Sequence, residues 1–180
     1  MKKAMNAWTI PGEVPFEEMF AQISAAGYDG IELNLDAPDS SAHSLYMDTA
    51  PDKLASIREL SEKYHLPVHS ISSSLYGANT LGADEGPDRE KAKDLLRRHV
   101  ELAQSLGAES ILVVPGGIGP ERSIRRAWDN CFETLSSLRK DIAGCGIKVG
   151  LENVWNNFFA SPRDMVNFID GLDCPEIAAY

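Results

Sequence analysis

Apolar residues recur along this chain with two alternating periods. Short runs with a strand's period of two, at 4–9, 30–35, 68–74, 110–115 and 148–154, are separated by stretches with the 3.6-residue period of a helix. Phe16, Met19, Phe20 and Ile23 form a first helical stripe that ends at Gly27. Leu54, Ile57, Leu60 and Tyr64 form a second, with Thr49-Ala50-Pro51-Asp52 as its expected N-terminal cap. Ala92, Leu95, Leu96, His99 and Ala103 make a third, closed by Gly107, and Ile124, Ala127, Trp128, Cys131, Phe132, Leu135 and Leu138 a fourth. The fifth starts with Ser161 as N-cap and Pro162 in the first helical position, and continues through Met165, Phe168, Ile169 and Leu172. Each helix thus has one apolar face to lay on a sheet.

Ile31, Ile71, Ile111 and Leu151 succeed one another at intervals of 40 residues, each inside a β-rich run: GIELNL, PVHSIS, ESILVVPG and KVGLEN. A repeat of this size, reading strand, loop, helix, turn, implies βα units and a parallel sheet. Helix-to-strand connections are short (27–29 and 107–109), whereas strand-to-helix connections are long and polar (36–48, 76–88, 115–122 and 155–160). In a right-handed βα repeat the long loops all emerge on one face, which makes that face the predicted active rim. Ile177-Ala178-Ala179-Tyr180 reads as the start of a sixth strand. Because a closed eight-stranded barrel takes roughly 250 residues, the prediction is an α/β fold. It is a (β/α) TIM barrel that is incomplete here, with five βα units plus the start of a sixth strand in one domain spanning 1–180, and the remaining third is expected beyond Tyr180.

With 43% hydrophobic and 24% charged residues, the composition is that of a soluble globular domain. No 18-residue apolar stretch is present and Met1-Lys2-Lys3-Ala4-Met5-Asn6 lacks a signal-peptide core, so the expected location is the cytoplasm, with no membrane partner. Cys131, Cys145 and Cys174 have no CxxC spacing and read as reduced packing residues. The net charge of −10 disfavours a nucleic-acid partner. Arg122, Arg125 and Arg126, after the glycine-rich loop, read as a solvated helix face in preference to an anion site.

Candidate chemistry concentrates in Gly150-Leu151-Glu152-Asn153-Val154-Trp155-Asn156, where an apolar strand ends in a carboxylate. Alternation sets Glu152 on the face opposite Leu151, at the C-terminal end of the strand, where parallel α/β enzymes keep their chemistry. A charge pointing into a barrel needs a partner, so Glu152 reads as a ligand or catalyst before it reads as a merely hydrogen-bonded carboxylate. Glu32, which follows Ile31 as Glu152 follows Leu151, is also expected to face the lumen, supporting the pocket or touching substrate. Trp8 either stacks on a sugar face or packs in the core, and Asn153 and Asn156 either bind hydroxyls or cap loops. His69 shares the parity of Ile71 and belongs to the helix side, whereas Ser70, Ser72 and Ser74 face inward without a GxSxG elbow. Pro115-Gly116-Gly117-Ile118-Gly119 lacks the lysine of a P-loop and reads as a turn of the rim.

The stretches AAGYDGIEL (25–33), LAQSLGAESILVVPG (102–116) and VGLENVWNNFFASP (149–162) resemble the xylose isomerase-like TIM-barrel superfamily of sugar and sugar-phosphate isomerases and epimerases. That resemblance implies a divalent metal at the barrel mouth, with Glu152 matching the first of four ligands and the other three expected beyond Tyr180. Hard oxygen ligands favour Mn²⁺ or Mg²⁺, and a site with one histidine also admits Co²⁺ or Zn²⁺. The implied reaction is proton abstraction next to a carbonyl, with Glu152 both on the metal and in the acid/base pair. A sugar dehydratase of the same fold, a non-catalytic carbohydrate-binding barrel and an endonuclease IV-like repair enzyme are the alternatives. The expected partner is a small sugar or sugar phosphate, and the unpaired edges of an open barrel point to a homo-oligomer.

Overall fold

A computed structural model gives the conformation of residues 1–180. Six strands alternate with helices: β1 (Ala4–Asn6), α1 (Phe16–Ala25), β2 (Gly30–Leu35), α2 (Pro51–Lys63), β3 (Val68–Ser73) and α3 (Pro87–Leu106) make up the first half. β4 (Ser110–Val113), α4 (Ile124–Ser137), the short α5 (Arg139–Ile142), β5 (Lys148–Leu151), α6 (Pro162–Leu172) and β6 (Ile177–Ala179) follow. The strands form one sheet in the order β1-β2-β3-β4-β5-β6, and every neighbouring pair is parallel. β1 and β6 are edges, so the expected partial barrel of five βα units and a sixth strand is what the chain adopts.

The repeat of 40 residues keeps the parity of the strands but not their pairing. Ile71 lies opposite Leu33, and the row continues through Ile111 and Val149 to Ile177. Each end of the repeat is therefore offset by two residues, one full pleat, and the apolar set stays on one face. These five side chains are at most 3% exposed and pack under the helices with Phe20, Leu96, Leu135 and Phe168.

Local chemistry explains where elements start and stop. β1 ends at Asn6, earlier than the expected 4–9, because the Asn6 Oδ1 accepts the Trp8 N–H at 2.8 Å and bends the chain into a 3₁₀ turn over Ala7–Thr9. α6 carries the predicted cap in full: Ser161 accepts from the Asp164 N–H, and Asp164 accepts in return from the Ser161 N–H. The predicted cap of α2 is corrected. Ala50 occupies the N-cap, Pro51 the first turn, and Thr49 instead accepts the Tyr46 N–H at 2.7 Å. α5 carries no apolar period long enough to be read from sequence.

His99, fully buried on α3, donates from Nε2 to the Ile71 carbonyl at 3.0 Å and accepts from the Tyr76 hydroxyl at Nδ1, at 3.1 Å. Burial drives its pKa down from 6.5 to about 3, against the raising effect of the Ile71 contact. The unfolded chain binds a proton below pH 6.5 that the folded chain refuses, so this contribution is complete above pH 6.5 and fades as pH falls toward 3. Urea denaturation should show roughly 2 kcal/mol of lost stability between about pH 6.5 and 5. His99→Gln should abolish that slope; an unchanged slope would show that other groups cause it.

Candidate active site at the mouth of the sheet

The inward face of the sheet is polar where its outer face is apolar. Alternate residues Asn6, Glu32, Asn34, Ser70 and Ser72 converge from β1, β2 and β3. The Glu32 carboxylate is the hub: it accepts from the Asn6 amide, from the Ser70 hydroxyl at 2.6 Å and from the Tyr180 hydroxyl. Asn34, 1% exposed, donates to Ser72 at 2.6 Å, while its Oδ1 is buried without a partner. Tyr180 reaches across from the β6 side because β5 has glycine at position 150. A Cβ there would lie 2.5 Å from the tyrosine ring. Burial first, and Glu32 second, raise the Tyr180 phenol to about 12. It therefore enters the network as a proton donor.

Above this floor opens a cavity of about 430 Å³, lined among others by Asn6, Trp8, Glu32, Tyr76, Glu152 and Tyr180. A groove of about 260 Å³ between α3 and α5, lined by Leu96, Val100, Leu138 and Ile142 and by the ion-paired Arg97 and Asp141, lies among the outer helices, away from the rim.

Glu152 and Glu32 share the mouth but not their surroundings. The Glu152 backbone extends the sheet by donating to the Val113 carbonyl at 3.0 Å, whereas its carboxylate makes no hydrogen bond or ion pair. Burial, and then the negative charge of Glu32, raise its pKa. It is thus a carboxylate at the strand end with its proton affinity increased and its lone pairs free, the properties of an acid/base group or of an oxygen ligand.

Trp8 is 52% exposed and is no core residue: its indole N–H points at the Asp36 carboxylate, 3.1 Å from Oδ2. The two asparagines stand outside the residues that line the cavity. Asn156 donates to the Pro115 carbonyl at 2.6 Å and accepts the Phe158 N–H, the loop-capping role, and Asn153 is exposed outside the residues that line the cavity. His69 is exposed near the opposite end of β3, 3.5 Å from Glu109. Sequence reasoning missed Asn6, Asn34, Asp36 and Tyr180. The alternation Glu32-Asn34-Asp36 was the available signal, three polar residues on one face of a strand that is otherwise apolar.

The rim loops after β3, β4 and β5 are locked together. Thr80 donates to the Gly116 carbonyl, Asn156 holds Pro115, and Gly82, Gly116 and Gly117 sit where any Cβ would strike the neighbouring loop. Gly116 and Gly117 also have φ of 137° and 117°, open to glycine alone. The glycine-rich turn is therefore spent on loop packing. The basic cluster is partly neutralised: Arg126 pairs with Asp84 at 2.8 Å, Arg122 lies 3.7 Å from the same carboxylate, and exposed Arg125 lies 3.6 Å from Asp129. All three cysteines are free thiols.

For a divalent cation the residues fit only in part. Glu152 offers a free, hard oxygen, but nowhere do three His, Cys, Asp or Glu side chains come together to hold a metal. No helix is long and apolar enough to cross a membrane.

A family model described as "Xylose isomerase-like TIM barrel" matches residues 20–180. The chain is 26% identical over 169 residues to fructoselysine 3-epimerase of Shigella flexneri, covering 91% of this chain and 59% of that protein. Among solved structures, D-allulose 3-epimerase from Methylomonas sp. in complex with D-allulose superimposes with a TM-score of 0.75 at 20% identity. That match covers 99% of this chain and 61% of the other. A xylose isomerase-like TIM barrel protein from Mycobacterium smegmatis in complex with magnesium gives 0.72 at 18% identity, over 98% and 62% of the two chains. The chain thus spans about 60% of the length of these relatives.

Proposed function

The chain belongs to the xylose isomerase-like TIM-barrel family, and on that premise we propose that the protein is a sugar epimerase or isomerase that removes and returns a proton at a carbon beside a carbonyl. The observation that carries this reading is Glu152, unpartnered at the end of β5, over the same mouth as Glu32 and Trp8. A base for carbon acids needs free lone pairs and a proton affinity above that of an ordinary glutamate, and Glu152 has both. Trp8 offers a flat apolar wall to one face of a sugar ring, and Glu32 keeps lone-pair capacity beyond its three donors to orient a hydroxyl. The names of the similar proteins, fructoselysine and D-allulose 3-epimerases, support a ketose as the substrate class.

Glu152 would also serve as one ligand of a divalent cation, Mn²⁺ or Mg²⁺ before Co²⁺ or Zn²⁺, with the remaining ligands outside these 180 residues. Such a cation, when bound, polarises the substrate oxygens and stabilises an enediolate. The test is incubation of the full-length protein with D-fructose or D-allulose in D₂O with Mn²⁺, followed by NMR. Deuterium at the carbon that is inverted, together with appearance of the epimer, is expected. A protein that catalyses neither exchange nor inversion on any ketose offered would overturn the reading.

A further inference from the structure

Asp36 has no place in the sequence reading and no direct place in the proposed chemistry, yet its carboxylate ties three rim segments together. It is 4% exposed and accepts three side-chain donors: the Trp8 indole N–H, the Ser44 hydroxyl at 2.8 Å and the Ser74 hydroxyl at 2.7 Å. Trp8 comes from the turn after β1, Ser44 from the loop after β2 and Ser74 from the end of β3. No cation lies against this carboxylate, so its charge is held by these hydrogen bonds alone.

We propose that Asp36 is the positioning residue of Trp8, fixing the indole as one wall of the sugar site. Two of the three donors are hydroxyls that can rotate and accept, whereas an indole N–H can only donate. Orientation is therefore imposed on the tryptophan by the carboxylate. Trp8 lines the cavity and about half of its surface is exposed to solvent, so the ring has too few packing contacts to hold one plane unaided. The adjoining backbone is held separately: buried His43 lies 2.7 Å from the Val14 carbonyl and 3.2 Å from that of Ala7, the residue before Trp8. Loss of Asp36 should thus free the side chain without freeing the turn.

This inference rests on the sugar-site reading, and its test separates the two. In ¹⁵N-tryptophan-labelled full-length protein, Trp8→Ala identifies the indole signal of Trp8, and Trp128→Phe and Trp155→Phe identify those of the other two tryptophans of these 180 residues. Asp36→Asn keeps the size but weakens the acceptor. It should speed exchange of the Trp8 indole proton about tenfold or more, leaving Trp128 and Trp155 unchanged. Titration with D-fructose should then show affinity reduced roughly fivefold by Asp36→Asn when Trp8 is present, and by less than about twofold in a Trp8→Ala background. Ser74→Ala, which removes one donor, should shift the same indole signal in the same direction by less, and serves if Asp36→Asn does not fold. An unmoved indole signal, or an equal loss of affinity with and without Trp8, overturns the positioning role. If Trp8→Ala binds D-fructose like the parent while Asp36→Asn still frees the indole, the sugar-wall reading of Trp8 falls instead.

Discussion

Replacing Glu152 by glutamine should lower the turnover of the full-length protein by at least roughly 10²-fold, the lower end of what general acid–base catalysis contributes, while the fold stays intact. The two halves of that expectation have separate grounds. The carboxylate makes no hydrogen bond or ion pair, so the amide gives up no native contact. Because burial and Glu32 raise its pKa, ionised Glu152 costs stability at neutral pH, and an uncharged isostere removes that cost. Steady-state kinetics and a thermal melt of the same variant check both halves. Wild-type turnover would remove Glu152 from the chemistry, and a collapsed melting temperature would make it a structural residue. Glu32→Gln should behave differently, because Glu32 is engaged by Asn6, Ser70 and Tyr180.

The largest stability loss is expected from Phe168→Ala, about 3–5 kcal/mol for truncating a buried aromatic residue. Phe168 is 1% exposed and meets Trp128, Phe132, Phe158 and Phe159 edge to face, with the Trp128 centroid 4.8 Å away. The cluster joins α4 and α6 to the segment that follows Glu152, since Phe158 and Phe159 anchor that segment from below. Thermal denaturation should show a midpoint lower by roughly ten degrees, whereas Val166→Ala, at a half-exposed position of the same helix, should change little. A loss below about 1 kcal/mol for Phe168→Ala would mean that the cluster closes over the gap.

Much of this architecture could be read before any coordinates, because it rests on local rules. Period-two alternation sent Glu152 and Glu32 inward, and the Ser161 cap with Pro162 fixed the start of α6. What failed were features set by distant neighbours. Thr49 has the chemistry of a cap but is claimed by the Tyr46 N–H, and of the two roles open to Asn156 it is the distant Pro115 carbonyl that selects loop capping. Equal spacing of Ile31, Ile71 and Leu151 marks the repeat and the parity of the strands, but carries no information on register, which the sheet sets one pleat away at each end. Asp36 escaped notice because Trp8 and Ser74, 28 and 38 residues away in the chain, give it meaning only once the strands are side by side.

The locked rim loops bear on how such a protein could be re-engineered. TIM-barrel enzymes are commonly thought of as scaffolds whose loops can be exchanged one at a time. Here Gly82, Gly116 and Gly117 bring three successive loops within contact distance, with no room for a single methyl group between them. A loop graft after β3 alone would meet the backbone at Gly116, and one after β4 alone the side chains of Thr80 and Asn156, so the loops after β3, β4 and β5 form one cassette, to be transplanted or evolved together.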